Sequence, residues 1–360
     1  MNRLLLIILV LSSQFSFAGN DSAATKTGKW TTKYCAARIL GMSPNKVISF
    51  GYDYEFAQTL KSSDIGSYDK KDQPSMVETT KFKRVSGLRF TTKIPILNKP
   101  KIIWQVGLNY WKSNYGEGSY HLLKYYFNSS PPALGPHLGI KDLKSIGINT
   151  SIYKPLNEKH FVIFQTSADL NGDYKFSNIQ SLHYLKYSAI ALFGRRPSDY
   201  KQWAVGFGRT YGAGQSSILP LVIFNYTAPN KKWGTEITLP ARAWYRRAIN
   251  KNSLLRAGYE LEGASYHLNF MSTSTSNYEL RRGELRTKIE YQCKLYKAFW
   301  LSAQTGYCKI LNYKVDDLGT GKDFTRNITG GHNYAMIFKL SDFMFFNLSI
   351  NFVSLQQNSI

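Results

Sequence analysis

Ser265 and His267 stand two residues apart with Glu262 close by, the residue types of a nucleophile, a base and an orienting acid. On a strand, Ser265 and His267 share one face and Glu262 takes the other, so the three do not converge and no catalytic residue is expected there. The other histidines, His121, His137, His160, His183 and His332, are scattered. None stands at a metal-ligand spacing such as two on one helical turn. Asp169-Leu170-Asn171-Gly172-Asp173 opens like a calcium loop, but Tyr174 and Gln180 occupy the places that need glycine and glutamate. A tight polar turn is expected instead. Tyr211-Gly212-Ala213-Gly214-Gln215 is glycine-rich with no helix pattern after it to receive a phosphate, and reads as a loop. Cys35, Cys293 and Cys308 are an odd number, and the last two fall on opposite phases, which argues against a bond between them. Metal and cofactor are expected to be none.

What remains is charge held in alternation. Asp53, Glu55, Arg89, Glu236, Arg242, Arg256, Glu260, Glu262, Arg286, Lys288 and Glu290 lie between apolar residues at every second position. Successive strand side chains point to opposite faces, so these segments each have a greasy face and a charged one. Trp233, Thr235, Ile237, Leu239, Ala241 and Ala243 oppose Glu236, Thr238, Arg242 and Trp244; Leu255, Ala257, Tyr259 and Leu261 oppose Arg256, Gly258, Glu260 and Glu262. With the polar connection Ala248–Ser253 between them, the two segments read as a hairpin. Ile102–Tyr110 and Val162–Leu170 keep the same alternation, with Gly107 on the polar face suiting a crowded interior.

Two folds alternate in this way. Sandwich strands run about 5–6 residues, whereas a strand that crosses a bilayer takes about 9–11. The best segments sustain their phase over the longer span with no charge in the apolar phase, where Lys or Arg facing lipid costs ~2–4 kcal/mol. The fold class expected is therefore all-β, an antiparallel up-and-down transmembrane β-barrel of about 12–14 strands. Long connections are expected at Leu60–Pro74 and Ser113–Gly139, and short ones at Asn98–Lys101, Leu156–Lys159 and Arg195–Tyr200. The alternation of long and short slips by one in the second half, where Asn312–Gly331 is long and Ser341-Asp342 short. Pro220 and Pro240 interrupt ladder donors and mark a bulge or a strand start.

Address follows from the ends. Met1–Ala18 has a positive start, the apolar run Leu4–Leu11 and small residues before Gly19, the pattern of a secretory signal peptide. Residues 19–45 lack alternation and form a lead-in, 46–353 the barrel, and 354–360 a tail that follows Phe352 where an outer-membrane barrel would end. A net charge of +23 is scattered in short clusters without a zinc finger, helix-turn-helix or RNA-binding fingerprint, so no nucleic acid partner is expected. A surface facing anionic lipopolysaccharide accounts for it.

Leu219-Pro220-Leu221, Phe224-Asn225-Tyr226, Lys232-Trp233-Gly234, Leu239-Pro240-Ala241 and Glu260-Leu261-Glu262-Gly263 resemble the core of an uncharacterised outer-membrane β-barrel family of Gram-negative bacteria. The resemblance implies an exported barrel and supplies no activity. The expected partners are outer-membrane lipid, lipopolysaccharide and the barrel-assembly machinery. The leading functional reading is a channel or transporter for small polar or anionic solutes, or a scaffold with outer loops. A lipid- or lipopolysaccharide-modifying hydrolase and a secreted glycan-binding β-sandwich are the alternatives.

Overall fold

The computed structural model describes residues 34–64, 78–116, 118–122, 134–175, 182–211, 217–269, 277–318 and 334–354. The segment read as a signal peptide lies outside them. The chain forms a closed antiparallel ring of fourteen strands. They are β1 (Lys46–Glu55, continued by Gln58–Asp64), β2 (Glu78–Phe82, Val85–Thr92 and Ile94–Lys99), β3 (Ile102–Tyr115 and Gly118–Leu122), β4 (Leu143–Pro155) and β5 (His160–Gly172). Next come β6 (Leu185–Ser198), β7 (Lys201–Thr210), β8 (Ser217–Thr227), β9 (Trp233–Leu239) and β10 (Arg242–Asn250). The ring ends with β11 (Ser253–His267), β12 (Tyr278–Tyr296), β13 (Phe299–Asp317) and β14 (Tyr334–Leu340 and Phe343–Val353). A short helix, α1 (Leu134–Ile140), sits between β3 and β4. β14 pairs back onto β1 from Lys46↔Val353 to Glu55↔Phe345, which closes the seam.

The outer face is apolar and exposed: Phe50, Leu108, Ile148, Phe164, Phe207 and Ile350 all stand in the open, while Asp53, Arg286, Glu290 and Asn351 are buried inside. That inverts the soluble pattern and requires lipid as the outer solvent. The stacked-sheet alternative fails on the closed seam.

Several expected boundaries are corrected. Trp233–Ala243 is two strands, because Leu239–Ala241 turns the chain and Thr238 pairs with Arg242. His332–Leu340 and Phe343–Phe352 contain one strand, interrupted at Ser341-Asp342; the Ser341 hydroxyl accepts from Thr59 N at 2.8 Å and Asp342 from Ile310 N at 2.9 Å. The two errors cancel in the count, and undoing them puts every long connection at one end of the ring. Leu60 to Asp64 is strand rather than loop, Ser113–Gly139 includes the end of β3 and most of α1, and Asp169–Gly172 is the end of β5 rather than a turn.

Two departures from a plain cylinder shape the interior. At the upper end, where the long connections lie, β5 and β11 bend together from opposite walls and pair at Gly172↔His267. Nine strands, β11–β14 and β1–β5, thereby close into a narrower ring around an apolar core. Phe82, Tyr115, Leu138, Leu280, Val315 and Phe338 are among its members, and none comes from β6–β10 among the described residues. At the lower end, residues 34–45 run inside the rim. They pack Cys35 against Tyr153, Phe161, Leu192, Ala204 and Leu221. The apolar core is a roof and the lead-in segment a floor.

Candidate functional site: a charged chamber between roof and floor

Between them lies a cavity of about 910 Å³ lined by side chains from all fourteen strands and from the segment 38–46. Its charged wall stands on β12, whose even-numbered residues from Leu280 to Gln292 are all buried. Arg282 and Arg286 both reach Glu55 on β1, at 3.2 and 2.5 Å, and both bond Glu284 between them. Arg282 Nη1 also donates to Tyr115 Oη at 2.9 Å, which ties this wall to the roof. One layer around, Arg89 bonds Asp53 and, at 2.7 Å, Glu262. Asn347 donates to the other Asp53 oxygen at 2.7 Å. Lys288 bonds Glu260 at 2.8 Å, and Lys46 and Arg256 share Glu290. Charges taken out of water are tolerated only when paired in this way. Trp244 presents its ring to two of the cations, with Arg256 Cζ 4.3 Å and Lys288 Nζ 5.5 Å from the centroid.

The opposite wall carries few charges and is close-packed. Asn109 donates to Asp169 at 2.6 Å and accepts from Asn149 at 2.9 Å. A side chain at Gly147 would put its Cβ 1.8 Å from the Asp169 carboxylate, so this ladder exists because Gly147 leaves room for it.

The floor hangs on a few bonds. Tyr153 Oη lies 3.1 Å from Cys35 Sγ, and 3.3 and 3.2 Å from the carbonyl oxygens of Cys35 and Ala36. Arg196 donates to Ala36 O at 2.8 Å, Leu40 N to Asp199 O at 2.8 Å, and Ser43 N to Glu236 at 2.7 Å. Arg246 bridges the same Glu236 at 2.9 Å. All three cysteines are free thiols.

Not every cation in the chamber is paired. Arg242 and Lys93 line it, and neither has an ion-pair partner among the described residues. They lie within electrostatic reach of each other and of Glu260. Ten cationic and six acidic side chains line the cavity, and Glu55, Glu279 and Glu290 sit behind it as partners of its cations.

The family model described as "Domain of unknown function (DUF6268)" matches residues 68–352, from the approach to β2 to the end of the ring. The chain belongs to the DUF6268 family. No curated protein matches it. Among solved structures, the DUF6268 chain is similar to the COG4313 outer membrane channel from Pseudomonas putida F1, at 10% identity and a TM-score of 0.33, covering 90% of this chain and 99% of that one. It is similar to the translocator domain of the autotransporter NalP from Neisseria meningitidis at 7% identity and 0.33, covering 88% and 91%. For the toluene transporter TodX from P. putida the values are 8% and 0.30, covering 87% and 92%. None of these likenesses bears on what this lumen does.

Of the residues singled out from the DUF6268 sequence, Asp53, Arg89, Glu236, Arg242, Arg256, Glu260, Glu262, Arg286 and Lys288 line the cavity. Glu55 and Glu290 are buried behind it as the acids that the arginines share. Arg282, Glu284, Arg246, Lys46, Lys93 and Lys186 were missed. Glu284 and Arg282 share the phase of Arg286, and Arg246 that of Arg242 and Trp244, so the signal was there; Arg246 lay beyond the Trp233–Ala243 segment. Ser265 and His267 are not brought together with Glu262. Glu262 is engaged with Arg89 and Lys288, while His267 packs edge-on against Tyr184, 4.6 Å between centroids. Among the described residues no group of three metal-binding side chains converges. His121 has no described side chain, and His332 and most of the glycine-rich loop lie outside the described residues.

Proposed function

We propose that this chain is an outer-membrane channel whose chamber passes small anionic or polar solutes, with the floor at the periplasmic end and the long connections outside. The observation that carries this reading is that Arg242 and Lys93 face the chamber without an ion-pair partner among the described residues, in a lining that holds more Arg and Lys than acids. An ion pair stabilises the wall; a cation left open to the lumen attracts a passing anion. The closed fourteen-strand ring with an apolar exterior supports the membrane address. So does the N-terminal export pattern.

Reversal potential across a planar bilayer under a potassium chloride gradient tests it. Refolded full-length protein is expected to give conductance steps that select chloride over potassium, and the double variant Arg242→Ala/Lys93→Ala to lose most of that preference while the steps persist. Absence of steps, or selection of potassium, sinks the reading.

A further inference from the structure

The roof blocks a straight exit, which raises the question of where the chamber opens. β9 and β10 run only 7 and 9 residues, against 19 each for β12 and β13. Their turn at Leu239–Ala241 stops below the tops of both neighbours. β8 pairs with β9 only over Val222–Thr227, so Ser217–Leu221 have no partner on that side. β11 pairs with β10 only up to Glu260, so its upper edge as far as Ala264 is likewise unpaired toward β10, apart from Leu261 N donating to Ala241 O at 2.7 Å. Among the described residues, no strand bridges β8 and β11 above the turn. Two strands are missing there, so β8 and β11 stand about three strand spacings apart, ~14 Å.

The chamber reaches this gap. Glu260, Leu261, Glu262, Gly263 and Ala264 all line it. Leu261 and Gly263 belong to the outward phase of β11 and stand on the edge that β10 leaves unpaired, so the chamber lining reaches that edge. The sill is apolar: Leu239, Pro240 and Ala241 form the turn. On β8 the outward phase continues above it through Val222, Pro220 and Ile218, all exposed. An outer connection in water would be polar; this one stands at the height of the lipid-facing belt. Immediately inside it is Arg242, the exposed cation without an ion pair.

We propose that this window joins the chamber to the membrane and admits a single-chain anionic amphiphile, its head group on Arg242 and Lys93 and its chain over the Leu239–Ala241 sill into lipid. A cation behind an apolar step matches a molecule with an anionic end and one greasy chain, and a gap of about two strands suits one chain between the flanking side chains. The inference rests on reading the chamber as a space for anions and names the class of anion.

The test is equilibrium binding of radiolabelled palmitate to the refolded full chain in maltoside micelles. Saturable binding is expected, displaced by unlabelled palmitate but not by hexadecyltrimethylammonium, acetate or dioleoyl phosphatidylglycerol. Arg242→Ala is expected to weaken it roughly tenfold, the loss of one charge-assisted contact. Arg242→Lys is expected to keep most of it, and Lys154→Ala, on the outer face of β4, to leave it unchanged. Equal displacement by the cationic amphiphile, displacement by the two-chain lipid, or no effect of Arg242→Ala would overturn the proposal.

A nitroxide placed by Ala241→Cys, in a chain whose native cysteines are replaced by alanine, reads the height of the sill in phosphatidylcholine nanodiscs. Greater accessibility to oxygen than to a water-soluble nickel chelate is expected; the reverse removes the opening to lipid. Chloride-selective conductance without palmitate binding overturns the window's ligand and leaves the channel reading standing. Palmitate binding without conductance does the opposite.

Discussion

The two ends of the chamber are shut by different means. The roof is made by the wall itself: nine strands draw together, β5 meets β11, and side chains from eight of those strands and α1 fill the space with an apolar core. The floor is a separate length of chain, residues 34–45, laid against the inside of the rim by a handful of hydrogen bonds and one small cluster around Cys35. Opening the roof means unpairing strands and emptying a core. Opening the floor means releasing one tether. Access to the chamber at the lower end therefore depends on the segment before the barrel, whereas the upper structure is a fixed part of the wall.

The largest effect should come from the ladder that hangs beneath the roof. Arg286→Ala leaves Glu284 and Glu55 with one arginine between them, both fully enclosed. Removing one member of a buried pair typically costs ~3–5 kcal/mol, because the remaining charge stays out of water. The urea midpoint of the refolded barrel in vesicles should fall accordingly, read by tryptophan fluorescence. Arg242→Ala in the same assay should leave the midpoint nearly unchanged, since no ion pair is broken. If both variants behaved alike, the division between structural and solute-facing cations would be lost.

A smaller effect separates floor from wall. Tyr153→Phe removes the hydroxyl that contacts Cys35 and Ala36, at about 1 kcal/mol for a hydrogen bond, or roughly a fivefold shift in how often the floor lifts. Alkylation of Cys35, located by peptide mass, should speed up by about that factor while the urea midpoint holds. A drop in the midpoint with unchanged alkylation would mean that the floor and the barrel are one cooperative unit.

How much of this could be read from the residues depends on phase. The wall was legible because lipid outside and charge inside impose alternation over long spans, as in Ile102–Tyr110 and Val162–Leu170. The β9–β10 turn was hidden because Thr238 pairs with Arg242, which keeps odd-numbered residues outward on both strands, so the alternation runs through the turn unbroken. Pro240 alone marked it. Ser341-Asp342 did the reverse: the two residues shift the inward phase from Met336, Phe338 and Leu340 to Phe343 and Phe345, and a break within one strand imitates a hairpin. The roof was illegible for a related reason. Beyond Leu311, an irregularity against Gly283/Glu284 moves the inward phase of β13 to Tyr313 and Val315, so the start of the expected connection Asn312–Gly331 is strand with apolar residues inward. The floor carries no periodic pattern at all, since it is neither helix nor strand.

The smallest expected effect lies on the outside of the same upper wall. Lys112 on β3 meets Asp142 at 2.8 Å, as close as Lys288 is to Glu260 in the chamber, but its side chain is 34% exposed and that of Asp142 20%. Water and salt screen such a pair, and holding two side chains in register costs entropy, so its net worth is about 0–1 kcal/mol. Asn114 already donates to Asp142 at 2.6 Å and would keep it satisfied. Lys112→Ala should therefore shift the urea midpoint by less than about a third of what Arg286→Ala does, and high salt should erase even that difference. Equal losses from the two variants would show that the inner charges are as well hydrated as the outer ones, and that the ladder under the roof stands in open water rather than in an enclosed wall.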